Sequence, residues 1–168
     1  MKHSLAPIIS PASRVLILGT LPGERSLAAG AYYAHPRNQF WPIMASLFGA
    51  DPGGDPAERA TFVQRHRLAL WDVLHSAERA GSLDSAIIRP EPNDFATFLA
   101  AYPAIRAIAL NGTKARDLFD RQCWPDLAPE LQARLSVHTL PSTSPAHTMA
   151  FERKLAAWSI VRDLADQP

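Results

Sequence analysis

The chain has 168 residues, 47% of them hydrophobic, which fits one globular domain spanning residues 1–168 with ample material for a buried core. Its 17 Lys and Arg against 16 Asp and Glu exclude a large polybasic field, so any contact with nucleic acid has to be local. Cys123 is the single cysteine, which excludes an intramolecular disulfide and any metal or iron–sulfur site built from several thiolates. MKHSLAPIIS lacks the apolar stretch of a signal peptide, and nowhere do about 18 uncharged apolar residues run together. A cytoplasmic protein without membrane contact is therefore expected.

In chain order, Arg14 to Gly19 (RVLILG) is a short apolar run between Pro11 and a Gly/Pro cluster, the pattern of a buried parallel strand. A polar, glycine-bearing loop is predicted next. Asn38 then precedes QFWPIMASLF with Gly49 beyond it, which reads as a capped helix. Pro56 to Arg67 is predicted helical, and Leu68 to Leu74 (LALWDVL) is predicted as the second strand. Asn93 and Asp94 can cap the short helix DFATFLAAY. Ile105 to Leu110 is the third predicted strand, Asn111-Gly112 leads into the helix TKARDLFDRQ, and Leu135 to Leu140 is the fourth strand. Phe151, Leu155, Trp158, Arg162 and Ala165 follow helical spacing to the C-terminus. Strands alternating with helices predict a three-layer α/β/α sandwich around a mostly parallel four-stranded sheet.

An open parallel sheet binds ligands beyond the carboxyl ends of its strands. Three such segments stand out: Gly19-Thr20-Leu21-Pro22-Gly23, Asn111-Gly112, and Leu140-Pro141-Ser142-Thr143-Ser144-Pro145-Ala146-His147. Each also reads as an ordinary turn, or as a helix-start loop with Ser and Thr caps. A fourth segment, YYAHPRNQFW from Tyr32 to Trp41, packs aromatics, His, Arg and an amide into ten residues. There Asn38 fits a helix cap as well as a catalytic amide, and Phe40 and Trp41 fit core anchors.

Taken together and in order, LILGTLPGERSL, YYAHPRNQFW, IALNG and LPSTSPAH resemble the motif series of the uracil-DNA glycosylase superfamily, over roughly residues 13 to 160. YAHPRNQFW is similar to the FAHP-N-FW segment of the mismatch-specific enzymes, and the GTLPG, HPRNQFW and STSPA combination looks closest to the hypoxanthine-DNA glycosylase branch. Related mismatch-specific enzymes carry a catalytic Asn in GINPG. GTLPG contains no amide or carboxylate and offers Thr20 as its polar side chain. A second departure is His147, where related sequences often read STSPAN.

The resemblance implies a uracil-DNA glycosylase-like fold and a monofunctional enzyme that flips a deaminated base out of DNA and hydrolyses its N-glycosidic bond. It implies Asn38 as the catalytic amide that orients the water. Thr20, Leu21, Pro22, Gly23, Tyr33 and Asn111 then form the base pocket, with Tyr33 stacking on the base and Asn111 reading its edge. Ser142, Thr143, Ser144, Pro145 and His147 are the implied DNA-binding residues. His35 reads as an orderer of its own loop, and no motif contains a lysine that could form a Schiff base: Lys114 is expected on a solvated helix face and Lys154 on the last helix. Neither metal nor organic cofactor is implied, and DNA containing a deaminated base is the expected partner of a monomer. A non-catalytic DNA-binding module on the same scaffold remains open, as does uracil or xanthine as the base. A small-molecule hydrolase is disfavoured because no G-x-S-x-G elbow is present.

Overall fold

The computed structural model describes residues 1–168. Its elements are β1 (Lys2–His3), β2 (Val15–Gly19), α1 (Glu24–Ala29), α2 (Phe40–Phe48), α3 (Pro56–Arg65), β3 (Leu68–Asp72), β4 (Leu74–Glu78), β5 (Ile88–Pro92), α4 (Phe95–Ala101), β6 (Ala107–Asn111), α5 (Thr113–Gln122), α6 (Pro129–Arg134), β7 (Ser136–Leu140) and α7 (Phe151–Asp166). Single 3₁₀ turns lie at Asp84–Ala86 and Trp124–Asp126.

The four expected strands form one sheet in the order β3-β2-β6-β7, parallel at every pairing. Side chains of β2 alternate between two apolar layers, as a two-residue period requires. Leu16 and Leu18 pack with Phe95, Phe98 and Leu99 of α4 and with Ala115, Leu118 and Phe119 of α5. Val15 and Ile17 pack on the opposite face with α2, α3 and α7, through Phe40, Met44, Phe62, Val63, Trp158 and Val161. Burying each large side chain contributes roughly 1.5–3 kcal/mol, so the two layers fix the sheet between its helices. The result is the predicted three-layer α/β/α sandwich. Local signals set the helix starts: Asp55 and Asp94 accept the Glu58 and Thr97 N–H groups at α3 and α4, satisfying donors that have no partner inside the helix.

Several elements differ from expectation. LALWDVL is not one strand: β3 ends at Asp72, and β4 begins at Leu74 in a separate antiparallel sheet of order β1-β4-β5. Val73 and Leu74 are both fully buried, so the apolar run continues across the break. Both N–H groups still bond the chain leaving β2, Val73 to Gly19 O at 2.8 Å and Leu74 to Thr20 O at 3.1 Å, while Leu74 pairs on its other side with Pro92 of β5. The loop predicted after the first strand contains α1, a six-residue helix started by Gly23 without a side-chain cap. In α7 the buried residues are Lys154, Trp158, Val161 and Ala165, so Trp158 and Ala165 lie on the expected stripe while Phe151 and Leu155 are half-buried and Arg162 is exposed.

Successive strands reverse direction of travel at β2: β3 lies on one side and β6 on the other. Such a switch point leaves a crevice at the carboxyl edge.

Candidate active site

That crevice is a cleft of about 440 Å³, lined by the residues after β2, β6 and β7 and by the loop before α2. Thr20, Leu21, Pro22, Gly23, Tyr33, Asn38, Asn111, Ser142, Thr143, Ser144, Pro145 and His147 all border it. All twelve candidate residues read from the sequence therefore meet at one place, although they span more than a hundred positions.

Thr143 links three of the segments. Its N–H donates to Asn111 Oδ1 at 3.0 Å and its Oγ1 accepts from Asn111 Nδ2 at 3.0 Å. Its carbonyl accepts the Gln39 N–H at 3.0 Å. This two-point clamp fixes which end of the Asn111 amide is oxygen. Thr143 is fully buried, so its hydroxyl belongs to this clamp and is not offered to a phosphate, contrary to expectation. Ser142 and Ser144 are half-buried, and His147 is exposed. Helix α7 starts at Phe151, several residues beyond them, so these hydroxyls do not sit at a helix start as expected. They belong instead to a turn in which His147 N–H donates to Ser144 O at 3.0 Å, with Pro145 as its second residue.

Asn38 is half-buried, and its Oδ1 accepts the Phe40 N–H at 2.9 Å, so one end of its amide serves the start of α2. The backbone before it is ordered by His35, whose carbonyl accepts Asn38 N–H at 2.9 Å and whose Nδ1 accepts Arg37 N–H at 3.1 Å. His35 thus acts within its own loop, as anticipated.

Tyr33 is held at φ 54°, a left-handed conformation costing a bulky residue about 1–2 kcal/mol. One face of its ring stacks on Phe40, with centroids 4.1 Å apart. Its hydroxyl lies beside the Asn111 amide, and burial raises its pKa. Gly19 is required beneath it: a Cβ there would stand 2.8 Å from Asp72 Oδ1 and 3.4 Å from the Tyr33 hydroxyl.

Two carboxylates on this cleft, Asp72 and Asp84, and an arginine behind it, Arg79, were not read from the sequence. Asp72, at the end of β3, is buried, and burial pushes its carboxyl up to about 7. Asp84 sits on the turn between β4 and β5; its Oδ2 accepts the Thr20 hydroxyl at 3.1 Å. Burial raises its pKa, with the Thr20 hydroxyl and the Arg79 charge acting in the opposite direction. Arg79 has a side chain with no exposure and lies 3.8 Å from Asp84. It donates to the carbonyls of Leu21, Pro22 and Gly81, fastening GTLPG to the hairpin. No residue spacing announces these three; the available signal was an acidic residue, Asp72, inside the second apolar run.

Lys154 lies on the last helix, as expected, but is 1% exposed. Its ammonium donates to His147 O at 2.7 Å and Ser144 O at 3.4 Å, tying the 144–147 turn to α7. Lys114 is half-buried rather than fully solvated, and its charge acts on Asp84. No group of three His, Cys, Asp or Glu side chains is arranged to hold a metal ion, and no helix is long and apolar enough to cross a membrane.

Sheet order and cleft together define an open α/β/α sandwich with a polar cleft at its switch point. The chain belongs to the uracil DNA glycosylase superfamily, whose profile matches residues 6–166. It is 29% identical over 163 residues to a protein of Methanosarcina acetivorans named hypoxanthine DNA glycosylase, covering 96% of this chain and 98% of that one. A protein of Methanosarcina barkeri with the same name is 33% identical over 115 residues, 68% of this chain and 73% of the relative. A solution NMR structure from Methanosarcina acetivorans, provisionally described as a uracil DNA glycosylase, superposes with a TM-score of 0.81 at 27% identity, covering 99% of each chain.

Proposed function

We propose that this protein is a monofunctional DNA glycosylase that flips a deaminated base out of DNA, hypoxanthine of deoxyinosine before others, and hydrolyses its N-glycosidic bond to leave an abasic site. The observation that carries this reading is the convergence of Asn38, Tyr33 and the clamped Asn111 on one cleft at the carboxyl edge of the sheet. The names of the two Methanosarcina relatives support the choice of hypoxanthine.

Loss of the base leaves an oxocarbenium-like sugar, so the site has to orient a water and stabilise charge on the departing base. Asn38 orients the water through the amide nitrogen that its bond to Phe40 leaves free. Tyr33 stacks on the flipped base through the ring face that Phe40 does not cover. Asn111, fixed by Thr143, hydrogen-bonds the base edge. Ser142, Ser144 and His147 contact the DNA backbone around the extruded nucleotide. The cleft is complete within one chain, so the reading includes a monomer, and its free, buried Cys123 suits a reducing, cytoplasmic setting.

Single-turnover release from duplexes carrying one deoxyinosine, deoxyuridine or deoxyxanthosine tests this. Hypoxanthine release is expected to be fastest. Release of uracil alone would move the preference to uracil, and binding without any release would make the protein a DNA-binding module.

Two variants probe the assigned contacts. Tyr33→Ala is expected to slow hypoxanthine release by the equivalent of roughly 1–3 kcal/mol, the range for loss of base stacking. Unaltered turnover would remove Tyr33 from contact with the base. Lys154→Met keeps the stem of the side chain but deletes the ammonium that holds the 144–147 turn. Hydrogen bonds to charged groups are worth about 1.5–3 kcal/mol, so duplex affinity is expected to weaken about tenfold with the fold intact. Titration of a labelled deoxyinosine duplex reads this directly, and unchanged affinity would mean the turn does not meet DNA.

A further inference from the structure

Deamination of adenine and of cytosine changes one ring edge in the same way. Hypoxanthine carries an N–H at N1 and uracil one at N3, each beside a carbonyl, whereas their parents adenine and cytosine present a bare ring nitrogen at the same positions. A site that tells a deaminated base from its parent therefore needs an acceptor for that ring N–H together with a donor for the carbonyl. Asn111 has both kinds of group, but Thr143 has already taken one Nδ2 hydrogen and one Oδ1 lone pair, and the Tyr33 hydroxyl adjoins the same amide. The acceptor capacity of the cleft has to come largely from elsewhere.

Three carboxylates border the cleft: Glu24, Asp72 and Asp84. The side chain of Glu24 is 63% exposed and pairs with Lys2. Asp72 is buried. Asp84 has a side chain that is 45% exposed, so part of the carboxylate is open to the cleft. It is also positioned: Thr20, at the carboxyl end of β2, donates to Oδ2, and Arg79, buried and fixed by three carbonyls, faces Oδ1. Both neighbours are donors, so they hold the group as an acceptor, with lone pairs to spare.

We propose that Asp84 is the residue that separates hypoxanthine from adenine and uracil from cytosine: held by Thr20 and Arg79, its carboxylate accepts the ring N–H that deamination of these two bases creates. An unpaired adenine N1 or cytosine N3 meets the same carboxylate lone pair to lone pair, so these two parent bases are rejected by repulsion as well as by a missing bond, whereas guanine, with an N1–H of its own, is not told apart by this contact. Thr20 acts through Asp84 as a positioning residue, which gives the hydroxyl of GTLPG a role that needs no contact with the reacting sugar.

This rests on the glycosylase reading above, and one experiment separates the two. Single-turnover release is measured for wild type and Asp84→Ala on duplexes carrying deoxyinosine or 1-methyldeoxyinosine, in which a methyl group replaces the ring N–H. Wild-type release from the deoxyinosine duplex establishes the glycosylase reading by itself. Asp84→Ala is expected to lose about 10- to 100-fold on deoxyinosine, the worth of a hydrogen bond to a charged acceptor. Its preference for deoxyinosine over the 1-methyl substrate should collapse toward unity. A variant merely misfolded would slow both substrates alike, so a wild-type preference retained in Asp84→Ala overturns the assignment while leaving the glycosylase reading in place.

Discussion

Asn38→Ala is expected to reduce single-turnover base release by about 10²–10³-fold while leaving duplex binding within a few-fold of wild type, because deleting one positioned polar group from a hydrolytic site has effects of that size. The same side chain has a second duty. Its Oδ1 accepts the Phe40 N–H at 2.9 Å, so the alanine variant also loses a bond at the start of α2, worth about 1 kcal/mol. Asn38→Ser separates the two effects. A serine oxygen can still serve the helix start, yet it has no amide nitrogen to present to a water. Stability by urea denaturation should then track wild type in the serine variant and fall slightly in the alanine variant, whereas base release should be lost in both. A serine variant that releases base at the wild-type rate would reduce Asn38 to a helix cap.

Legibility in the sequence followed burial. Strands β2, β3 and β6 are covered on both faces, so VLILG, LALWD and AIALN read as unbroken apolar runs. The residues at their carboxyl ends then fell into the cleft by topology alone. The same logic failed at LALWDVL, where Val73 and Leu74 are as buried as the strand before them although Leu74 already belongs to the second sheet. Strand β5 was missed because IRPEP is mostly exposed and carries two prolines, the composition of a loop. Lysine at position 154 reads as a solvated face; its burial depends on two carbonyls of a turn that only the fold brings near. Arg79, Asp72 and Asp84 interact across segments with no shared motif, so their convergence on GTLPG lies beyond what spacing can reveal. Thr143 shows the converse limit: a hydroxyl in a polar Ser/Thr string reads as accessible until its bonds to Asn111 are seen.

Asp72→Asn is expected to stabilise the protein at pH 8 and to change nothing at pH 4. The carboxyl is buried at the end of β3, where its polar neighbour is the Ser4 hydroxyl at a weak 3.5 Å, and the charges near it are Arg79, which favours ionisation, and Asp84, which opposes it. Burial outweighs the others, and the carboxyl titrates at about 7, against an ordinary value near 4. Below about pH 4 the group is protonated in both folded and unfolded chains and contributes no difference. Between about 4 and 7 the unfolded chain releases the proton and the folded chain keeps it, so stability is lost as pH rises through that window and levels off above it. A difference of about three pKa units corresponds to at most roughly 4 kcal/mol, which an asparagine of the same shape avoids because it never ionises. Urea denaturation of wild type and Asp72→Asn at pH 4, 6 and 8 measures this: the two curves should coincide at the lowest pH and separate progressively. A separation independent of pH would mean that Asp72 is ionised throughout. The close approach of its Oδ1 to Gly19 also keeps the carboxyl on the floor of the cleft, beside the Tyr33 hydroxyl. A residue that weakens the fold at neutral pH is retained more readily where it serves the site. Hypoxanthine release by Asp72→Asn, measured on the stabilised protein at pH 8, is therefore expected to fall although the fold has gained stability.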